Sequence, residues 1–224
     1  VCSSDLVALS LMGETNATYR EYFIGEKNVD SLDLPELRKH FSFVAQDGFV
    51  MSASLRENVA FAYRPVRVDD QVLLESLRLS SFQLTRELHQ ASGVSATSPA
   101  PTVSRESEPS VNILLNTEIG ERGVNLSGGQ RQRVALARAH QYVRPVLILD
   151  DCLSAVDVDT ENELLQNLIT GAWGGRTRLL ITHRLSVLDQ VDRIYFMENG
   201  RIIDVGTFAE LKSRSAKFCE FTMT

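Results

Sequence analysis

Apolar residues fall into two kinds of run along this chain. The first kind is short and continuous. Val146-Leu147-Ile148-Leu149 ends in Asp150-Asp151, the pattern of a strand buried on both faces that carries charge to its C-terminal edge. Arg178–Ile181 repeats the form and ends in Thr182-His183, and Phe41–Ala45 runs into Gln46. A further strand fits near Glu21–Ile24. The second kind is periodic. Residues 68–90 read as two short amphipathic helices, with Val72, Leu73 and Leu77, then Phe82, Leu84 and Leu88, on the apolar faces.

Helix starts and turns fit between these runs. Asp33 precedes Leu34-Pro35-Glu36, with proline in the first turn and Glu36 able to reach back. Ser54 and Glu57, Thr160 and Glu163, and Thr207 and Glu210 have capping-box spacing. Thr160 is expected to open a helix to about Leu168, and Thr207 the last helix. Ile194–Met197 and Arg201–Val205 flank Asn199-Gly200, a hairpin signal. Strands alternating with helices predict an α/β fold with a mostly parallel sheet.

One stretch breaks both patterns and organises the rest: Leu126-Ser127-Gly128-Gly129-Gln130-Arg131-Gln132-Arg133. Ser127 can cap a helix that continues through good helix formers to His140. Such a start presents unpaired N–H groups and the positive end of the helix dipole to an anion. With carboxylates at the end of the 146–149 strand, it predicts phosphate and Mg²⁺ handled at one site.

Composition narrows the choices. The 224 residues carry a net charge of −6, which counts against a nucleic-acid surface. They suit one domain, or a domain with a subdomain. No apolar run approaches the roughly 18–20 residues that span a bilayer, so the piece reads as soluble. Cys2, Cys152 and Cys219 have neither metal-ligand spacing nor even pairing, which fits a reduced, intracellular setting. Ala91–Ser110, rich in Ser, Pro, Ala and Thr, reads as a disordered surface insertion.

The motifs together resemble the ATP-binding-cassette (ABC) ATPases. LSGGQRQR is similar to the family's signature, LILDD to its Walker B strand, Ser154-Ala155-Val156-Asp157 to the D-loop, Ile181-Thr182-His183-Arg184 to the switch histidine, and Gln46 to the Q-loop. The likeness runs from about Val7 onward. It implies a P-loop NTPase (RecA-like) core over about residues 7–47 and 134–224, with an inserted helical subdomain over about 48–133 holding the 91–110 insertion. ATP and Mg²⁺ are the implied cofactors. Asp150 and Gln46 would bind Mg²⁺, Gln46 would also touch the attacking water, and His183 would meet the γ-phosphate. Asp157 would organise a cassette dimer. Leu126, Ser127, Gly128, Gly129 and Gln130 would close over ATP held by the partner cassette. Asp151 stands where most relatives carry a catalytic glutamate; its side chain is one methylene, roughly 1.5 Å, shorter. The resemblance therefore implies weak hydrolysis at this site. Thr117–Gly123 resembles the exporter-type loop that contacts a membrane domain, implying an exporter at the cytoplasmic face of a membrane. A transmembrane domain would be fused upstream and a second cassette paired with this one, with no nucleic-acid partner. Soluble ABC proteins acting on ribosomes or DNA fit less well.

The likeness departs at the front. Val7–Glu14 fits the helix that follows the Walker A loop, and counting back from Gly13 puts Ser4 at the phosphate-binding lysine and Asp5 at the Mg²⁺-binding Ser/Thr. Serine brings no positive charge, aspartate would repel a triphosphate, and the loop's glycines are missing. Val-Cys-Ser-Ser-Asp-Leu also matches the translation of a common sequencing adapter. Two expectations stand side by side. In one, residues 1–6 are non-native and replace the Walker A loop of a longer exporter cassette. In the other, a natural non-hydrolysing regulatory cassette begins here and lends its signature to a catalytic partner. Either way the chain alone should be inactive, and its sheet should show a gap or a closed-up neighbour where the Walker A strand belongs, beyond the His183 strand.

Overall fold

A computed structural model describes residues 3–61, 68–84, 87–88, 111–121 and 124–223. The chain folds as two compact units: Val1–Phe41 with Arg144–Asp151 and Arg176–Thr224, and Ser42–Val143 with Cys152–Gly175.

The first unit is built on a parallel strand pair. β6 (Val146–Asp150) and β7 (Thr177–Ile181) run in register, with Val146 opposite Thr177 and Asp150 opposite Ile181. β3 (Phe41–Val44) begins in this unit at Phe41, and just before it the His40 carbonyl accepts the Val146 N–H at 3.0 Å. The continuous apolar run puts Leu147, Ile148 and Leu149 at 1% exposure or less. β7 is only half-buried, and no strand lies beyond it among the described residues. Among the described residues β7 is the end strand of this sheet, so neither a central gap nor a closed-up neighbour is seen there.

α1 (Ser3–Leu11) and the turn after it lay Ala8 and Met12 on Ile148, flanked by Phe41, Leu179 and Ile181. Burying side chains the size of Met12 and Ile148 contributes about 1.5–3 kcal/mol each, and Ala8 less. Gly13, at φ +73°, ends the helix in the left-handed conformation that glycine adopts without strain. A short ribbon of β1 (Phe23–Ile24) and β2 (Lys27–Asn28) follows. Asp33 caps α2 (Leu34–Arg38) by accepting the Glu36 N–H at 2.8 Å, but Glu36 pairs with Lys39 instead of reaching back.

β8 (Ile194–Glu198) and β9 (Arg201–Gly206) form the expected hairpin, with Asn199 and Gly200 at φ +49° and +73°. Thr207 and Glu210 form a full capping box on α8 (Phe208–Arg214). That helix is not the last. Ser215 ends it and caps α9 (Ala216–Phe221), which brings Phe218 onto Leu188, Ile194 and Leu211.

The second unit is helical. Ser54 and Glu57 box the start of α3 (Leu55–Ala60), and Asp69 caps α4 (Asp70–Leu79). On α4 the buried stripe is Leu73, Ser76 and Leu77, at helical spacing, so Val72 faces outward at 45% exposure rather than joining the apolar face. After α5 (Val111–Leu115), β5 (Glu118–Ile119) pairs antiparallel with β4 (Ala53–Ser54). Of the second predicted amphipathic helix, Phe82 and Leu88 are buried in this core, but much of its span, the 91–110 insertion, Arg122 and Gly123 lie outside the described residues. α6 (Gly128–Gln141) and α7 (Val158–Ile169) complete the unit.

α7 starts earlier than the sequence suggests. The Asp157 carboxylate accepts both the Thr160 N–H, at 3.0 Å, and the Thr160 hydroxyl, at 2.8 Å. Asp157 is therefore the N-cap and Thr160 lies inside the first turn, donating its hydroxyl rather than capping. No helix among the described residues is long and apolar enough to cross a membrane.

Candidate functional site

The predicted residues gather in two constellations, one in each unit. In the first unit, the in-register pairing of β6 with β7 sets their C-terminal ends side by side. The Asp151 N–H donates to the Ile181 carbonyl at 2.8 Å, and two residues further on His183 Nδ1 stands 3.4 Å from Asp151 Oδ1. The His183 side chain is 71% exposed and that of Asp151 only 12%, so the imidazole covers the carboxylate on the solvent side. Asp151 holds a left-handed backbone, φ +42°, where the strand breaks off.

Asp150 is 7% exposed. Burial pushes its carboxyl above the usual range, and the charges of Asp5 and Asp151 push it further. Among the described residues no group of three or more His, Cys, Asp or Glu side chains is gathered to hold a metal ion; Asp150 offers a single carboxylate, of the oxygen type that hard divalent cations take. The first turn of α1 offers an acid, Asp5, and no base to set against a triphosphate.

In the second unit, the first turns of α6 are packed on three sides. Ser127 accepts the Gln130 N–H at 3.2 Å, and Gln130 Oε1 accepts the Ser127 N–H at 2.7 Å. Of the five signature residues, Ser127 and Gly128 face solvent, while Leu126, Gly129 and Gln130 are buried. A Cβ on Gly129 would stand 2.3 Å from the Ala155 carbonyl oxygen, so the D-loop backbone lies directly on the signature; at Gly128 the nearest atom would be 3.8 Å away. Within the D-loop, Val156 is buried, and Ser154, Ala155 and Asp157 are exposed. The Thr160 N–H and hydroxyl, and to a lesser degree Arg133, hold the Asp157 carboxyl below the usual range.

Gln46 lies against α6 further along the helix. Its side chain is exposed, but its carbonyl accepts from Gln132 Nε2 at 2.7 Å, and two residues on, Gly48 touches the helix backbone at Arg131. Sequence reading missed Gln132. It missed equally Glu87, 5% exposed, whose carboxylate pairs with Arg133 at 2.7 Å and whose carbonyl accepts from Gln130 Nε2. Nothing local marks these residues, because their partners lie tens of residues away.

The sequence profile of the ABC transporter family matches residues 6–154. The chain belongs to the ABC transporter family. It is 32% identical over 204 residues to a multidrug resistance ABC transporter ATP-binding and permease protein of Lactococcus lactis, covering 91% of this chain and 30% of that protein. It is 30% identical over 205 residues to an ATP-dependent lipid A-core flippase of Colwellia psychrerythraea, covering 92% and 30%. The chain thus spans under a third of the length of these relatives. Its fold matches that of a bacterial Atm1-family ABC exporter solved with ATP bound, at a TM-score of 0.79 and 24% identity over 99% of this chain and 35% of that one. The P-loop NTPase architecture expected from the motifs is therefore the architecture found.

Proposed function

We propose that this chain is the nucleotide-binding cassette of an exporter-type ABC transporter. It would pair with a second cassette and act on a transmembrane domain at the cytoplasmic face of a membrane. The observation that carries this reading is the strand-end group of Asp150, Asp151 and His183, fixed by the register of β6 and β7.

In this reading Asp150 would hold Mg²⁺, which would supply positive charge against phosphate oxygens. Asp151 would polarise the attacking water, and His183 would donate a hydrogen bond to a phosphate oxygen. Ser127 and the N–H groups at the start of α6 present an anion-binding edge to the ATP of the partner cassette. A surface for the membrane domain is supported by the rings of Phe49 and Phe61, 62% and 46% exposed. They meet edge to face at 6.3 Å, with the Arg138 guanidinium 4.5 Å from the Phe61 centroid.

A second reading, a regulatory cassette that hydrolyses little itself, is favoured by the charge of Asp5 acting on Asp150 and by aspartate in place of glutamate at residue 151. Phosphate release by the membrane-embedded assembly carrying this cassette separates the two. If Asp150→Asn in this cassette abolishes its share of Mg²⁺-dependent turnover, the catalytic reading stands. If that change is silent while Ser127→Arg stops the partner's turnover, the regulatory reading replaces it. No effect from either change refutes both.

A further inference from the structure

We infer that Gln132 is a positioning residue that ties Gln46 to the signature helix within one cassette. The inference rests on the cassette reading above together with the role the family resemblance implies for Gln46, whose side chain would meet Mg²⁺ and the attacking water.

The geometry is specific. Gln132 lies one turn into α6 and is 3% exposed. Its Nε2 donates to the Gln46 carbonyl at 2.7 Å across 86 residues of sequence. Because the acceptor is a carbonyl, the amide must present its nitrogen there, which turns Oε1 into the core. Buried Oε1 finds no hydrogen-bond partner among the described residues. A side chain serving only to fill this space would satisfy both ends or carry neither, since an unmet buried acceptor is costly.

Two further contacts make the tie rigid. A Cβ on Gly48 would lie 2.4 Å from the Arg131 carbonyl carbon and 2.6 Å from the Gln132 nitrogen, so the loop rests on bare helix backbone. One residue later, Arg138 Nη1 donates to the Phe49 carbonyl. Each hydrogen bond goes to a main-chain oxygen, which fixes the path of residues 46–49 and leaves the Gln46 side chain exposed. The same helix begins at the capped signature. In the cassette reading, Gln46 attends this cassette's own nucleotide and the signature attends the partner's. Gln132 therefore stands one turn from the signature and one hydrogen bond from Gln46, a short mechanical link between two ATP sites.

Gln132→Met tests the link, because it keeps length and volume while removing the donor and the orphan acceptor together. Its melting temperature should stay near that of the wild-type chain. Amide hydrogen exchange over residues 45–49 should rise about tenfold, the equivalent of one lost hydrogen bond. In the membrane-embedded assembly kcat for ATP should fall roughly tenfold to a hundredfold, with KM little changed, as expected for a misplaced catalytic group. Gln132→Asn, too short to reach the carbonyl, should act in the same direction and serves if the methionine variant folds poorly. Unchanged exchange over 45–49 overturns the tie itself. Raised exchange with unchanged kcat overturns its positioning role. If the wild-type assembly shows no Mg²⁺-dependent turnover, the cassette reading fails, and the exchange experiment still decides whether Gln132 holds the loop.

Discussion

Gly129 has no room for a side chain because the carbonyl oxygen of Ala155 occupies the place its Cβ would take, at 2.3 Å. Gly128, its neighbour, has an open flank, with Ala155 Cβ as the nearest atom at 3.8 Å. The two glycines of one motif thus answer to different needs. Gly129→Ala must displace the D-loop backbone and should destabilise the chain by about 1–3 kcal/mol, as overpacking does. Gly128→Ala should leave stability almost unchanged. Thermal unfolding of the two variants checks this, and equal effects would refute the packing argument.

Asp150 makes a second prediction through its charge. Its folded-state carboxyl titrates above its unfolded value, so its contribution to stability is present at low pH and is lost as pH rises through the raised folded value. At neutral pH without a cation, the charge is a cost. Asp150→Asn should therefore raise the melting temperature in chelator, by a few degrees for about 1 kcal/mol. Added Mg²⁺ should stabilise the wild-type chain and not the variant. A variant that melts lower in chelator would contradict the assignment.

The shorter acid beside it can be lengthened. Asp151→Glu should extend the carboxylate by one bond and raise ATP turnover at this site, roughly tenfold or more if reach is the limiting defect. Asp151→Asn should lower it. The readout is phosphate release by the assembly, and a glutamate variant no faster than wild type would show that reach is not what limits the site.

Acid should unpick the start of α7. The Asp157 carboxyl is held below its ordinary value by its bonds to Thr160, so the cap contributes above the unfolded pKa and is lost as pH falls through the folded one. Asp157→Asn can still accept a hydrogen bond but carries no charge. The gap in melting temperature between wild type and this variant should shrink as the solution is acidified, and a gap independent of pH would be the contrary result.

Trp173, the single tryptophan, is fully buried against His140 at 5.8 Å between ring centroids, and its indole N–H has no acceptor among the described residues. Trp173→Phe loses that unmet donor along with some volume and should cost well under the roughly 3–5 kcal/mol expected for Trp173→Ala. Denaturant unfolding of both variants measures the difference.

What the sequence disclosed follows from how far each signal reaches along the chain. The boxes of Ser54 with Glu57 and Thr207 with Glu210, and the cap by Ser127, are written within four residues, as is the Asn199-Gly200 turn, and all four form. The apolar run 146–149 announced a buried strand because nothing but burial accounts for it. Thr160 misled because its spacing to Glu163 imitates a box, while Asp157, three residues earlier, supplies a stronger acceptor. Val72 misled because the α4 stripe is narrow and includes Ser76 in place of an apolar residue. The ties of Gln132 to Gln46 and of Arg133 to Glu87 join distant parts of the sequence and left no local trace.

The packing around α6 bears on how such chains age. Leu126, Gly129, Gln130 and Gln132 are held from inside by the core, the D-loop, the helix cap and the Gln46 loop, while Ser127, Gly128 and Arg131 look outward. A cassette that stopped turning over ATP would still need most of these letters to fold. The motif is therefore a record of architecture first, and a chain can keep it long after its chemistry has lapsed.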